Sequence, residues 1–319
     1  MGNKLSTKHS VLEILRNNTQ PVSGEEIANN IGLSRVSVWK AVNALENAGY
    51  KIDSTKNGYI LSKDIKDSLF PWELADDENF SIHFKETTST MEEAKKIAES
   101  QENSSYKNIK IVTADSQTKA HGKNNTVWNT TKGSLAFTMI TKNQTPVSEN
   151  HRLIMTAQIA WVNVLEKKAK RKFYVRWPND IWTEDGKVAG ILDELSSLGG
   201  ICRYINLGIG INLFEKPQNS KIKTDFAFKT TDITRKELLS LFLKEFSSLE
   251  KLAKENSKTL SQMWNSLGFD TGKKIKTNIK QSQNSVFNGI NDLGFASITF
   301  DKNQTELFPP GTISILKNI

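Results

Sequence analysis

Two short runs, Arg176-Trp177-Pro178-Asn179-Asp180 and Lys187-Val188-Ala189-Gly190-Ile191-Leu192-Asp193-Glu194, bring an amide, a carboxylate and an amine within a hairpin's reach of one another. A strand that ends in Pro-Asn-Asp and returns through Glu184-Asp185-Gly186 into a second strand places those groups around one small cavity. An amide, a carboxylate and a lysine in one cavity suit a nucleotide phosphate and its metal. A second cluster, Thr87-Thr88-Ser89-Thr90, stands at the start of a helix over 91–100. Thr90 and Glu93 have capping-box spacing, so taken alone Thr90 reads as a cap rather than as a hydroxyl that binds a polar ring.

The elements that must carry these groups are legible from patterning. Strands are expected at 80–84, 109–114, 134–141 and 201–211, a helix at 153–165, and a hairpin of Tyr174–Trp177 with Val188–Leu195. The polar stretch from Asp115 to Trp128 is long enough for a loop that is either a functional lid or disordered. Gly208-Ile209-Gly210-Ile211-Asn212 lacks the third glycine opening a helix, which excludes a dinucleotide-binding fold. Strands arriving as hairpins make the chain α+β, with a mixed, mostly antiparallel central sheet.

Residues 1–62 form a separate pattern. Val11, Leu12 and Leu15 stripe a first helix; Ser23 with Glu26 caps a second; Ser34 starts a third whose inward face is Val38, Ala41, Val42 and Leu45. The two strands around Lys56-Asn57-Gly58 make a wing. This winged helix-turn-helix places its last helix in a DNA major groove, with Lys40 and Lys56 on phosphates and Arg35, Ser37 and Asn43 toward base edges. The alternative is a small bundle used for protein contact. A linker is expected over 63–79, a catalytic domain over 80–269, and over 270–319 a small SH3-like β-barrel of short strands between Gly and Asn turns.

Composition narrows the classes further. Net charge is +8, compatible with a polyanionic partner. One cysteine, Cys202, excludes a disulfide framework, and four scattered histidines give no zinc-ligand spacing, so no metal site is expected within the protein itself. No apolar run reaches the roughly 20 residues of a membrane span, and a cytoplasmic location is expected.

A winged helix ahead of Trp-Pro-Asn-Asp, Gly-Lys-x-Ala-Gly-Ile-Leu-x-Glu and Gly-Ile-Gly-Ile-Asn resembles the bifunctional biotin protein ligases that also repress the biotin operon. The resemblance covers nearly the whole chain, in order. It implies a class II synthetase-like central domain that condenses biotin and ATP, with Mg2+, into biotinyl-5′-adenylate. It also implies transfer of the biotinyl group to a lysine of the biotin carboxyl carrier protein of acetyl-CoA carboxylase. By the same resemblance the adenylate-loaded protein is a homodimer that binds operator DNA. Carried over by position, Lys187 and Lys123 serve catalysis. Ser89, Thr90, Met91, Gln117, His121, Gly122, Lys123 and Lys187 line the biotin site, and Trp128, Asn179, Asp180 and Asn212 the ATP end.

The chain departs from the family in one loop. Where family members carry Gly-Arg-Gly-Arg-x-Gly-Arg before a tryptophan, this chain has Ala120-His121-Gly122-Lys123-Asn124-Asn125-Thr126 before Trp128, with the spacing kept. Met91 also replaces a polar residue. Lysine is a point charge where arginine grips bidentately, so the resemblance leaves two readings open: a working ligase and repressor, or a biotin-responsive regulator with impaired catalysis. A lipoate-type ligase is disfavoured by the Trp-Pro-Asn-Asp context and the winged helix.

Overall fold

The structure is a computed structural model that describes residues 5–100, 110–123, 126–131, 133–142, 145–218, 220, 222–279, 285–300 and 304–316. The chain forms two compact units, the first ending at His83 and the second beginning at Phe84.

In the first unit three helices, α1 (Thr7–Arg16), α2 (Gly24–Ile31) and α3 (Arg35–Asn47), each start at a serine. Ser6, Ser23 and Ser34 accept from the amides of His9, Glu26 and Ser37, satisfying donors that the first turn leaves orphaned. The apolar stripes read from the sequence meet in one core of Val11, Leu12, Leu15, Ile27, Val38, Val42 and Leu45. The wing is the antiparallel pair β1 (Lys51–Thr55) and β2 (Gly58–Lys63). Gly58, at φ 129°, lets it close on the α1–α2 loop, because a Cβ there would stand 2.1 Å from the Val22 carbonyl oxygen.

Residues 63–79, expected as a linker, are folded. Ile65, Phe70 and Trp72 pack against the three-helix core, and Arg16 bridges Asp64 at 2.9 Å and Glu73 at 2.6 Å. The Tyr50 hydroxyl donates to Glu73 at 2.5 Å; burial, then that carboxylate, push its phenol well above the ordinary tyrosine range.

The second unit is built on a seven-stranded sheet. Its strands are β3 (Ser81–Thr87), β4 (Ile111–Gln117), β5 (Leu135–Thr141), β6 (Tyr174–Arg176), β7 (Asp180–Thr183), β8 (Gly186–Leu198) and β9 (Ile201–Ile211), in the order β3-β4-β5-β9-β8-β7-β6. Helix α4 (Thr90–Ser100) follows β3, and α5 (His151–Ala169) follows β5. Two helices between 213 and 269, α6 (Arg235–Glu255) and α7 (Ser257–Ser266), have no counterpart in the patterning above. Their signals are present: Thr234 accepts from the Glu237 amide, and Leu238, Leu239, Phe242, Phe246 and Leu249 form one buried stripe. Trp161 of α5 stacks on Phe242 of α6 at 4.4 Å, and the edge of Phe137 from β5 meets Phe242 at 5.7 Å, which seats both helices on the sheet.

One expected pairing is corrected. Tyr174–Arg176 pairs with a separate four-residue strand, Asp180–Thr183, and that strand pairs with 186–190, so the expected hairpin is a three-stranded meander. Trp-Pro-Asn-Asp therefore forms the first turn of the meander, and β7 is too short to announce itself by alternation.

The remaining strands, β10 (Lys273–Thr277), β11 (Ser285–Ile290), β12 (Ala296–Thr299), β13 (Thr305–Phe308) and β14 (Ile315–Leu316), form one antiparallel sheet in the order β13-β12-β11-β10-β14. Among the described residues its order is open at both ends, so closure into a barrel is not part of the observed architecture. The sheet is fastened to the helices: Asn265 exchanges side-chain bonds with both backbone groups of Ile290, and Ser261 donates to Asp292 at 2.6 Å.

Candidate functional site

Positioning starts at Gln158, a fully buried amide on α5. Its Nε2 donates to the carbonyls of Asp180 (2.9 Å) and Arg176 (3.3 Å), on either side of the cis Trp177-Pro178 turn, and its Oε1 accepts from Trp264 at 2.8 Å. Arg176 is committed elsewhere: it pairs with buried Asp270 at 2.7 Å and lies over Trp182 at 4.3 Å. Asn179 donates to the Ile191 carbonyl and its own carbonyl accepts from the Ile191 amide at 2.9 Å, pinning the turn to β8. Trp177 donates to the Gly294 carbonyl at 3.0 Å, so the C-terminal sheet braces the same turn. What the turn presents is Asp180, 2.7 Å from the Lys187 ammonium, with both side chains mostly out of water.

Beside that pair lies a floor without side chains. Gly208 and Gly210 share one face of β9, and Gly190 pairs with Gly210 across β8. A Cβ at Gly210 would stand 2.4 Å from the Trp128 ring, one at Gly208 2.7 Å from the Met91 methyl, and one at Gly190 3.0 Å from the Lys187 nitrogen. The three glycines thus form a floor on which Met91, Trp128 and Lys187 lie directly, where side chains on the sheet would exclude them; this floor is the trough of the site. Lys187 stands 5.6 Å from the centre of the Trp128 ring.

At the far end of the trough runs a directed hydrogen-bond chain. Thr138 donates to the Thr90 hydroxyl at 2.9 Å, and Thr90 donates to Gln117 Oε1 at 3.2 Å, which also accepts the Thr90 amide at 2.8 Å. The capping reading of Thr90 is therefore overturned. Ser89 accepts from the Met91 amide, and the Thr90 hydroxyl belongs to a polar network with buried Thr138 and half-buried Gln117. Thr138 was invisible from spacing because it sits in an otherwise apolar strand, Leu135–Ile140.

The stretch expected as a loop from Asp115 begins as strand, since β4 runs to Gln117, and hairpin pairing follows in the segment expected as a lid: His121 bridges Val127, the Gly122 amide donates to the Thr126 carbonyl at 2.7 Å, and the Trp128 amide to the Ala120 carbonyl at 3.0 Å. Asn124 and Asn125 lie outside the described residues, as does Ile109. His121 Nε2 is 3.4 Å from Glu194 on β8, which ties the lid to the trough's edge. Lys123 is exposed. Its charge, secondary to burial, helps push the imidazole of His151 down to about 3, and His151 Nε2 has no hydrogen-bond partner among the described residues.

Residues 223–227 also belong to the site and were not singled out from sequence. The Lys187 amide donates to the Lys223 carbonyl at 3.0 Å, and the Asp225 amide to the Lys187 carbonyl at 2.8 Å. Asn212 Nδ2 donates to the Asp225 carbonyl at 3.1 Å, so Asn212 fastens this strap, while its buried Oδ1 has no partner among the described residues. Among the described residues no group of three or more His, Cys, Asp or Glu side chains could hold a metal by itself. Asp180 is the one carboxylate of the turn, so a magnesium ion would fit here only when most of its ligands come with a triphosphate.

In the first unit Arg35, Lys40 and Lys56 are exposed, and Asn43 is half-buried. The Ser37 hydroxyl lies 3.0 Å from that of Ser34 at the start of α3. Two residues passed over in the sequence, Val36 and Trp39, are 61% and 54% exposed on the same helix. Arg35, Val36 and Trp39 line a groove whose other wall is the wing, Ser54–Tyr59. No helix among the described residues is long and apolar enough to cross a membrane.

Comparison with known proteins matches residues 7–60 to an HTH domain and residues 83–212 to the Biotin/lipoate A/B protein ligase family. The chain is 29% identical over 211 residues to the bifunctional ligase/repressor BirA of Bacillus subtilis, covering 62% of each chain. It is 30% identical over 139 residues to the biotin--[acetyl-CoA-carboxylase] ligase of Paracoccus denitrificans, covering 43% of this chain and 56% of that one. The chain thus spans about three fifths of the length of these curated relatives. Among solved structures, the biotin protein ligase from Aquifex aeolicus in complex with biotin and ATP superposes with a TM-score of 0.61 at 27% identity, over 75% of this chain and 99% of that one.

Proposed function

We propose that this chain, whose residues 83–212 match the Biotin/lipoate A/B protein ligase family and whose residues 7–60 match an HTH domain, is a biotin protein ligase and DNA-binding repressor. In this reading biotin and ATP condense to biotinyl-5′-adenylate, releasing pyrophosphate, and a carrier-protein lysine then takes the acyl group and releases AMP. The observation that carries it is the glycine trough with Thr90, Gln117 and Thr138 at one end and the Lys187–Asp180 pair at the other. A fused bicyclic ring needs a flat apolar floor, and its ureido edge needs a donor and an acceptor held in place. Gln117 turns its Oε1 to Thr90, which directs its Nε2 toward a ligand. Ser89, Met91, His121, Gly122 and Lys123 complete the biotin end.

Lys187, paired with Asp180 at the second end, is where the two substrates meet in this reading. Its ammonium draws the biotin carboxylate toward the α-phosphorus and stabilises the equatorial oxygens as that carboxylate attacks. Asp180, Asn179, Asn212 and Trp128 shape the nucleotide end, and Mg2+ bound to the triphosphate would neutralise the leaving pyrophosphate. The carrier is the biotin carboxyl carrier protein of acetyl-CoA carboxylase, in the cytoplasm. The C-terminal sheet is an SH3-like module, and the adenylate-loaded protein pairs as a homodimer on operator DNA through Arg35, Ser37, Lys40, Asn43 and Lys56.

Biotin-dependent exchange of labelled pyrophosphate into ATP tests the enzymatic half. Exchange is expected with the full chain and Mg-ATP, reduced about 100- to 1,000-fold in Lys187→Met, as for loss of one oxyanion donor. No exchange at saturating biotin and Mg-ATP, with DNA binding intact, supports the second reading, which the replaced loop arginines favour: a biotin-responsive regulator with impaired catalysis.

A further inference from the structure

We infer that the recognition helix reads thymine methyl groups through Val36 and Trp39. This rests on the DNA-binding reading of the first unit and goes beyond it by assigning the apolar part of the readout. A large indole that is 54% exposed beside a valine that is 61% exposed is costly on a free surface unless something covers it. The two residues sit in the first and second turns of α3, Arg35–Asn47, the part of such a helix that meets base edges. Positions 35, 36, 39 and 40 follow i, i+1, i+4 and i+5, so Val36 and Trp39 lie between the cations of Arg35 and Lys40. Across the groove stands the wing with Lys56.

That charge pattern selects a polyanion, and the apolar centre selects the apolar atom of its major groove. Of the four bases only thymine presents a methyl there; guanine, cytosine and adenine present polar edges. Ser37 is turned to Ser34 at the helix start, which leaves the patch with little polar competition. The structure therefore assigns a thymine-rich half-site, with Arg35 on a neighbouring guanine or phosphate.

The test uses duplexes selected from a random pool by the full chain with biotin and Mg-ATP. Selected duplexes should carry thymine at fixed positions, and replacing those by deoxyuridine, which lacks only the methyl, should weaken binding about fourfold per methyl covered. Trp39→Ala and Val36→Ala should weaken binding to the thymine duplex and abolish the deoxyuridine penalty. Equal weakening on both duplexes would overturn the inference and place the indole on the sugar-phosphate backbone. Selection of a duplex without a deoxyuridine penalty in the unmodified protein overturns it too, while leaving DNA binding standing; failure to select any duplex removes both. Both side chains are exposed, and thermal melting of the variants confirms that the fold persists.

Discussion

At the residue scale the proposed site divides into groups that have partners and one that is exposed. Lys187, Asp180, Thr90 and Gln117 each have a named partner within 3.2 Å. Lys123 is exposed on the lid. A guanidinium grips a carboxylate or phosphate through two parallel bonds where an ammonium makes one, so Lys123→Arg is expected to slow release of biotinyl-adenylate by roughly 10-fold or more. Release followed by gel filtration of the loaded protein measures this, and labelling of bystander proteins on a streptavidin blot should fall in parallel. An unchanged release rate places Lys123 outside ligand contact. His151 supplies a second prediction. Burial and the Lys123 charge hold its imidazole neutral in the fold down to about pH 3, whereas in the unfolded chain it protonates near pH 6.5. Between those values the unfolded state binds the extra proton, so stability falls as pH drops through that window, by about 1.4 kcal/mol per unit. Urea midpoints of the protein and of His151→Leu at pH 7, 6, 5 and 4 should diverge, the variant losing less; parallel curves would remove this role.

At the element scale, the legibility of the chain followed the strength of local signals. Helices α1 to α3 were readable because three serine caps and three apolar stripes agree with one another. Strand β7 was not, since four residues buried on both faces show no alternation. The long stripe of α6 was readable in principle from Thr234 to Leu249. For the site, motif spacing located Lys187 and Asp180, but Thr138 and the strap at 223–227 become neighbours of the motifs only when β5, β8 and β9 pair. Arg176 teaches the reverse lesson: a charge inside the most informative motif is spent on Asp270 and on aromatic stacking. The brace between the C-terminal sheet and the Trp-Pro turn yields a test. Gly294 has φ 78°, and a Cβ there would meet the His151 ring at 2.2 Å, with the Met155 sulfur at 3.0 Å. Gly294→Ala should therefore cost about 1 to 3 kcal/mol and lower the melting temperature by several degrees. Because the Gly294 carbonyl accepts from Trp177, pyrophosphate exchange should fall with it. Normal melting together with normal exchange would show that the brace is dispensable.

At the scale of the whole molecule, the two units each bury a core of their own. The first closes around Val11, Leu12, Ile27, Val38, Val42 and Leu45, and the segment after the wing completes it through Phe70, Trp72 and the Arg16 ion cluster. The second closes around the sheet with Trp161, Phe137 and Phe242, and none of the groups that line the trough comes from the first unit. The proposed chemistry and the proposed DNA binding are thus assigned to different units of the chain. A protein lacking residues 1–80 keeps β3 whole, since that strand begins at Ser81, and is expected to retain biotin-dependent pyrophosphate exchange within about threefold of the full chain. It should bind no selected duplex. Exchange assayed beside electrophoretic mobility shift checks both arms. A truncated protein that melts cooperatively yet loses exchange by more than 100-fold would mean that the first unit contributes to catalysis, and the autonomy argued from the two cores would then be wrong.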